Sequence, residues 1–178
     1  MRRLPVYLLL DTSGSMGGEP IEAVKNGVQI MISSLRGNPQ AQETAYISVI
    51  TFDSVANQII PLTDLGSFQM KDIQATGTTA LGEGLKLLSN CIDNEVTKTT
   101  PETKGDWKPL VFIMTDGVPT DSWQNGLVEF KKRKTGIVVA CAAGSGADTS
   151  VLKQITDNVV ELATADSQSI ANSTTLSV

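Results

Sequence analysis

Three short apolar runs stand out along the chain, at Val6–Leu10, Leu110–Met114 and Ile137–Ala142. Each run is bounded by polar or turn-forming residues, and none alternates between apolar and polar positions. A strand with only one face in the core would alternate, so these runs predict strands that are buried on both faces. Strands of that kind belong to parallel sheets that are covered by helices on either side.

Three further segments predict strands. Tyr46–Phe52 and Ala56–Leu62 are rich in β-branched residues, and Val159–Leu162 is a short apolar segment late in the chain. A tight connection, residues 53–55, separates the first two of these segments. Because so short a connection cannot cross over a sheet, Ala56–Leu62 must run antiparallel to its predecessor, which places it at a sheet edge.

Helical periodicity fills the stretches between the strands. Over residues 20–36 apolar side chains recur at three- and four-residue steps, Pro20 suits a first helical position, and Gly37 with Pro39 predicts the end. Further helices are predicted at Thr79–Ile92, at Thr120–Arg133 with Asp121 as a cap, and at Asp148–Thr156. The remaining segments are expected to be an irregular stretch or short helix at 64–73, a long exposed loop at 96–108, and a tail from Asp166 that starts helical and then fades.

The alternation of strands and helices predicts an α/β fold. We expect an open, doubly wound, mostly parallel sheet of about six strands, with one antiparallel edge strand and helices on both faces, as in Rossmann-like folds. A length of 178 residues fits a single domain spanning 1–178. In such sheets ligands bind at the carboxyl ends of the strands, so functional residues are expected in the loops that follow strands.

Charge and hydropathy narrow the class of partner. The net charge is −5 and the pI about 4.7, which argues against a nucleic acid or an anionic membrane held by charge alone. No stretch approaches the ~20 apolar residues of a membrane span. Arg2 and Arg3 precede an apolar run, as in a secretory signal, but that run is short and ends in Asp11. A cytoplasmic location is therefore expected.

The residue inventory excludes several chemistries. The chain has no histidine, so it cannot carry a Ser-His-Asp or Cys-His catalytic group or a zinc site with imidazole ligands. Two distant cysteines, Cys91 and Cys141, cannot form a four-thiolate site, and we expect both to be reduced and partly buried.

Hard oxygen donors lie in three loops that flank predicted elements. Residues 11–15, Asp-Thr-Ser-Gly-Ser, follow the first buried strand; residues 76–79, Thr-Gly-Thr-Thr, precede a helix; residues 115–117, Thr-Asp-Gly, follow the second fully apolar strand. If these two strands are neighbours, Asp11 and Asp116 point into one crevice and repel unless a proton or cation intervenes. Oxygen ligands without soft ligands favour Mg²⁺, Mn²⁺ or Ca²⁺.

The pattern resembles a known family. Asp11-x-Ser13-x-Ser15, then Thr79, then Asp116 is similar to the metal-ion-dependent adhesion site of von Willebrand factor type A domains, and the likeness covers nearly the whole chain. The opening, residues 3–11, looks most like bacterial tellurite-resistance proteins of the TerY type. That narrower resemblance implies a cytoplasmic, stress-related module that is often encoded near protein kinases and phosphatases.

The resemblance implies a role for each matching residue. Ser13 and Ser15 would bind the metal directly through their hydroxyls, Thr79 directly or through water, and Asp11 and Asp116 in the first or second coordination shell. Because mostly neutral ligands leave the ion positively charged, it would attract an Asp or Glu side chain of a partner protein. The implied function is therefore cation-dependent protein binding by a non-enzyme that is a monomer when free, the partner being a kinase or phosphatase of the same system.

Each of these features also has a plain structural explanation. The loop at 11–15 could be a helix-capping turn, Thr79 a simple N-cap, and Asp116 and Asp53 ordinary turn formers. The run Lys131–Lys134 is expected to be a solvated helix end, with a basic docking patch as the alternative.

Three rival functions follow from the same residues. A strand ending in an aspartate resembles phosphatases of the haloacid dehalogenase type, but these need a second acidic residue where Ser13 stands. A nucleotide-binding domain would need a glycine-rich phosphate loop that is missing from the sequence. The third rival is a scaffold whose metal site is vestigial.

Overall fold

A computed structural model describes residues 2–144 and 146–162 of the chain. The strands are β1 (Leu4–Asp11), β2 (Ala45–Phe52), β3 (Ala56–Asp64), β4 (Leu110–Thr115), β5 (Val138–Ala142) and β6 (Val159–Glu161). The helices are α1 (Glu19–Arg36), α2 (Pro39–Thr44), α3 (Leu81–Glu95), α4 (Gln124–Lys131) and α5 (Ser150–Ile155), and a 3₁₀ turn spans Gly14–Met16.

The six strands form a single sheet in the order β3-β2-β1-β4-β5-β6. Only β3 runs antiparallel, pairing with β2 at the edge, and the other neighbours are parallel. This confirms the predicted fold class and its antiparallel edge strand. The chain winds outward from β1 in both directions, and Leu10 pairs with Met114, so β1 and β4 end side by side. Their loops open into the crevice where such sheets bind ligands.

The strand β1 is buried along its whole length because helices cover both faces of the sheet. Leu8 and Leu10 face a core that includes Val24 and Met31 of α1. Tyr7 and Leu9 face the opposite core, which includes Leu85 of α3. Successive side chains of one strand thus enter different cores, which explains why its sequence does not alternate.

The helices α3 and α4 cross at a point with no room for side chains. A Cβ atom added at Gly126 would overlap the carbonyl oxygen of Gly82 and lie 3.0 Å from its Cα. One added at Gly82 would lie 2.9 Å from the Cα of Trp123. The two glycines therefore set a backbone-to-backbone contact near the start of both helices.

The structure contains a short helix, α2, where the sequence predicts only a helix end at Pro39. Pro39 instead occupies the first turn of a new helix, where its missing N–H costs nothing. The side chain of Asn38 caps that turn by accepting hydrogen bonds from the N–H groups of Gln40 and Ala41, at 2.9 and 3.1 Å.

Three predicted helices begin later than expected. The one predicted over Asp148–Thr156 spans Ser150–Ile155. The helix predicted from Thr79 begins at Leu81, and the one predicted over Thr120–Arg133 is confined to Gln124–Lys131. Asp121 does not cap its own helix. It accepts hydrogen bonds from the N–H groups of Gly82 and Glu83 and so caps α3 from the neighbouring loop.

Several smaller predictions can also be compared with the structure. Residues 65–80 contain no helix, which agrees with the irregular alternative for 64–73. Cys91 and Cys141 are free thiols and both are buried. The tail from Asp166 lies outside the described residues. Over residues 2–144 and 146–162, none of the helices has the length and apolar character needed to cross a bilayer.

Candidate metal centre

Asp11 is the last residue of β1 and its side chain is fully buried. One carboxylate oxygen accepts a hydrogen bond from the N–H of Ser13 at 2.8 Å. The other accepts from the hydroxyl of Thr115 at 2.6 Å, and that hydroxyl in turn accepts from the N–H of Gly117 at 3.1 Å. These bonds hold the carboxylate in one orientation at the ends of β1 and β4.

The two serines that follow Asp11 present their hydroxyls together. The Oγ atoms of Ser13 and Ser15 lie 3.1 Å apart. Ser13 is buried, whereas Ser15 is exposed at the mouth of the crevice. The 3₁₀ turn brings them together, because Met16 is fully buried and its N–H bonds to the carbonyl of Ser13 at 3.0 Å.

The loop that carries Thr79 lies directly against the loop that carries the serines. The carbonyl of Thr12 accepts from the N–H of Thr76 at 2.8 Å, and the N–H of Gly14 donates to the carbonyl of Gly77 at 2.9 Å. On its other side the loop is held by the residue that follows β2, since the N–H of Ala80 donates to the carbonyl of Asp53 at 2.8 Å.

Thr79 itself is clamped by Thr120. The hydroxyl of Thr120 accepts from the N–H of Thr79 at 2.9 Å and lies 3.1 Å from its carbonyl, to which it donates. The N–H of Thr120 also donates to that carbonyl, at 2.8 Å. The hydroxyl of Thr79 is left without a hydrogen bond to another described residue, although only 4% of the residue is exposed. It remains available as a ligand.

We predict that Thr120→Val lowers the free energy of unfolding by about 1–3 kcal/mol, because it leaves the N–H of Thr79 without its acceptor. The substitution keeps the shape of the side chain, so it isolates the loss of the hydroxyl. Urea denaturation measures the change. The exposed neighbour variant Ser122→Ala is the control, and equal stability of the two variants would show that the clamp contributes nothing.

Asp116 follows β4 and is partly exposed. One of its carboxylate oxygens accepts from the N–H of Val118 at 3.3 Å, and its carbonyl accepts from the N–H of Asp148 at 2.8 Å. The next residue, Gly117, has φ at 85° and passes so close to Asp148 that a Cβ atom would overlap its carbonyl oxygen. Asp116 is therefore held by its backbone, and most of its carboxylate is free.

Burial raises the pKa of the Asp11 carboxyl above its ordinary value. Hydrogen bonds from Ser13 and Thr115 oppose that shift, and the nearby charge of Asp116 adds to it. In the described part of the chain, neither Asp11 nor Asp116 forms an ion pair with a lysine or arginine. Two carboxylates that share a crevice without a cationic side chain fit a bound cation.

The donor set also fits a hard cation. Two carboxylates and three hydroxyls, those of Ser13, Ser15 and Thr79, line adjoining loops, and no soft ligand is among them. Within residues 2–144 and 146–162, no three or more His, Cys, Asp or Glu side chains form a cluster that could hold a metal ion. Any ion here would therefore depend on neutral oxygens from serine and threonine.

The sequence analysis does not predict two residues that hold candidate ligands in place. These are Thr115, which bonds to Asp11, and Thr120, which bonds to Thr79. Thr115 precedes Asp116 in the Thr-Asp-Gly segment, and its place beside Asp11 follows from the pairing of β1 with β4. No sequence signal points to Thr120. Asp53 forms a turn, since its carboxylate accepts from the N–H of Val55 at 3.1 Å, as its turn-former interpretation predicted.

The sequence matches the model of the von Willebrand factor type A domain over residues 6–175. The chain belongs to this family. It is 36% identical to an uncharacterized protein of Synechocystis sp. over 123 residues, which is 65% of this chain and 26% of that protein. It is 28% identical to a von Willebrand factor A domain-containing protein of Dictyostelium discoideum over 146 residues, or 81% of this chain and 15% of that protein. The chain thus spans about a quarter or less of these relatives.

Solved structures share the fold at low sequence identity. The proximal thread matrix protein 1 of the mussel byssus superposes with a TM-score of 0.70 at 19% identity, covering 98% of this chain and 47% of that one. The pilus adhesin SpaC of Lactobacillus rhamnosus GG gives a TM-score of 0.72 at 16% identity, covering 98% and 30%. An aerotolerance-related membrane protein of Bacteroides fragilis gives 0.64 at 17%, covering 98% of both chains.

Proposed function

We propose that this domain is a divalent-cation-dependent module that binds an Asp or Glu side chain of a partner protein. Family membership supports a general function in protein binding, since von Willebrand factor type A domains generally serve protein interaction and adhesion. The proposed dependence on a divalent cation is supported by one observation. The buried carboxylate of Asp11 and the nearby Asp116 have no cationic partner in the described chain, and neutral hydroxyls surround them.

Asp11, Ser13, Ser15, Thr79 and Asp116 would hold the ion, which we propose to be Mg²⁺, with Mn²⁺ or Ca²⁺ as alternatives. Bound there, the cation would supply positive charge for a carboxylate of the partner. The chain's own residues affect this attraction in two ways, by engaging the Asp11 carboxylate in hydrogen bonds and by leaving the site open to the partner. Thr115 and the N–H of Ser13 already satisfy the Asp11 carboxylate, and the exposed Ser15 leaves the mouth of the crevice open.

The wider setting is part of the same proposal. We propose a cytoplasmic domain of a bacterial tellurite or stress-response system that is a monomer when free, with a kinase or phosphatase of that system as partner. The opening of the chain, residues 3–11, is what supports this setting, through its resemblance to tellurite-resistance proteins.

We propose binding rather than catalysis. A hydrolase of the aspartate-phosphatase type needs a general acid two positions after the aspartate, and Ser13 stands there, with its hydroxyl 3.1 Å from that of Ser15. A serine hydroxyl is too weak an acid to protonate a leaving group at neutral pH. Hydrolysis of p-nitrophenyl phosphate that depends on Mg²⁺ would contradict this part of the proposal.

Calorimetric titration with Mg²⁺ and Mn²⁺ tests the site directly. We expect one ion to bind per chain, and Ser15→Ala to weaken binding by about 10- to 100-fold. Ser15 is exposed, so its removal leaves the core intact, whereas Asp11→Ala would leave the buried partners of that carboxylate unsatisfied. Ser33→Ala, an exposed serine in the second half of α1, is the matched control.

Affinity capture from a bacterial extract, run in Mg²⁺ and then in EDTA, extends the test to the partner. Proteins that are lost on chelation, and lost equally with the Ser15→Ala variant, support the proposed mode of binding. An absence of heat with both metals, or capture that EDTA leaves unchanged, contradicts it.

A further inference from the structure

A groove of about 770 Å³ opens at the end of the sheet opposite Asp11. It lies where α3 and α4 end and where β1 and β4 begin. It is lined by residues 92–93, 96–99, 106–109 and 132–134 together with Arg2. We call it the basic groove. Since β1 has eight residues, the groove is roughly 25 Å from the candidate metal centre.

The wall of the basic groove is built by the loop between α3 and β4, which was predicted to be long and exposed. The loop folds back on itself. The N–H of Asp106 donates to the carbonyl of Thr97 at 2.8 Å, and the N–H of Thr97 donates to the Asp106 carboxylate at 2.8 Å. Gly105 lies so close to Thr97 that a Cβ atom there would overlap it. The wall is therefore preformed.

Asp106 also ties this loop to the start of the chain. Its carboxylate forms an ion pair with Arg3, with 2.7 Å between the closest atoms. The N–H of Trp107 donates to the carbonyl of Arg3 at 3.0 Å. The guanidinium of Arg2 lies over the Trp107 ring, 5.1 Å from its centroid. One side of the groove is thus an ordered aromatic surface capped by a cation.

The basic groove concentrates positive charge on an acidic chain. Among the residues that the structure describes, six lysines and arginines line it, but only two acidic residues do. Both acidic residues are paired with arginines, Asp93 with Arg133 and Asp106 with Arg3, each at 2.7 Å. In the part of the chain that the structure describes, three groove lysines form no ion pair, namely Lys98, Lys108 and Lys134.

Between these cations the groove is apolar. Ile92, Val96, Trp107 and Pro109 contribute to its lining. Tryptophan and arginine, which lie side by side here, are two of the residue types most enriched at the strongest contacts of protein interfaces. A solvated helix end, the alternative explanation for these lysines, accounts for positive charge near the helix dipole. It does not account for the concave apolar surface beside them.

We propose that the basic groove binds an acidic peptide segment of a partner protein, with an apolar side chain inserted between Trp107 and Val96. The carboxylates of the segment would face Lys98, Lys108 and Lys134. A lipid bilayer cannot enter a concave groove. An extended nucleic acid would reach beyond the groove onto the rest of a chain whose net charge is −5, whereas a short peptide segment would not. This second site does not depend on the cation, and a single partner could reach both ends of the domain.

The test uses a fluorescein-labelled peptide of glutamates with a central Leu-Phe pair, followed by fluorescence polarization. EDTA is present throughout, so that the candidate metal centre cannot hold the glutamates, and failure here leaves the cation-dependent proposal untouched. We expect binding that rises in low salt and that Lys98→Glu with Lys134→Glu weakens by about tenfold or more. The charge-matched control, Lys86→Glu with Lys153→Glu, places the same charges on exposed positions outside the groove and should bind as the parent does.

Two altered peptides separate the contributions of charge and apolar contact. Replacing the glutamates with glutamine, or the Leu-Phe pair with serines, should each weaken binding. The proposal is overturned by an absence of binding at millimolar peptide, by equal weakening in both double variants, or by a glutamine peptide that binds as well as the parent. It is also overturned if vesicles of phosphatidylserine bind the groove lysines and the peptide does not.

Discussion

Asp116→Ala is expected to lower the affinity for Mg²⁺ and Mn²⁺ by about 100-fold while changing stability by no more than about 1 kcal/mol. The variant removes a carboxylate from the crevice that also contains Asp11. Among the described residues it removes one long side-chain hydrogen bond, from the N–H of Val118 at 3.3 Å. Calorimetric titration gives the affinity and urea denaturation gives the stability.

The matched control is Asp53→Ala. Asp53 also follows a strand and also accepts a hydrogen bond from the N–H two residues later, at 3.1 Å. It lies outside the predicted ligand set, so its removal should leave metal affinity within about twofold. If both variants weaken binding equally, the affinity reflects general negative charge and not a site that includes Asp116.

Gly117→Ala is expected to destabilise the domain by about 3–5 kcal/mol. The φ of Gly117 is 85°, a conformation that L side chains rarely adopt. The added methyl group would also overlap the carbonyl oxygen of Asp148, so the segment that leads into α5 must move. Because the N–H of Asp148 is bonded to the carbonyl of Asp116, the loop after β4 should be displaced as well.

Gly18→Ala separates these two effects. Gly18 has nearly the same φ, 81°, but a Cβ atom there would have no neighbour within 4 Å. Its cost should be limited to the backbone strain, about 1–3 kcal/mol. Urea denaturation of the two variants gives the difference, and equal losses of stability would mean that the contact between Gly117 and Asp148 is unimportant.

Much of the fold could be predicted because the apolar patterns were unambiguous. The doubly buried strands β1 and β4 have continuous apolar sequences, and the short connection at 53–55 fixed the direction of β3. The errors arose where one residue type serves two roles. Proline is common both just after a helix and in the first turn of one, so Pro39 did not distinguish the end of α1 from the start of α2. Asp121 has the composition of a local cap but caps α3 through space.

The sequence predicts the candidate metal ligands, but it does not predict the residues that hold those ligands in position. Asp11, Ser13 and Ser15 lie on one loop, and their spacing marks them together. The roles of Thr115 and Thr120 come from contacts between segments that are 104 and 41 residues apart. No local pattern encodes a hydroxyl that bonds across such a distance. The same holds for the basic groove, where only the run Lys131–Lys134 gave any sequence signal.

The strand β1 pairs with two strands that lie far from it in the sequence, which affects how the domain folds. Its first neighbour, β2, begins with Ala45 opposite Leu4, and its second, β4, pairs Leu110 with Val6. During synthesis β1, which is buried along its whole length in the folded domain, therefore emerges long before one of its two partners exists. Loop closure over such separations is slow, so folding cannot proceed by local zippering alone. Until β4 leaves the ribosome, β1 has an unpaired edge that is prone to aggregation, and a chaperone would have reason to shield it.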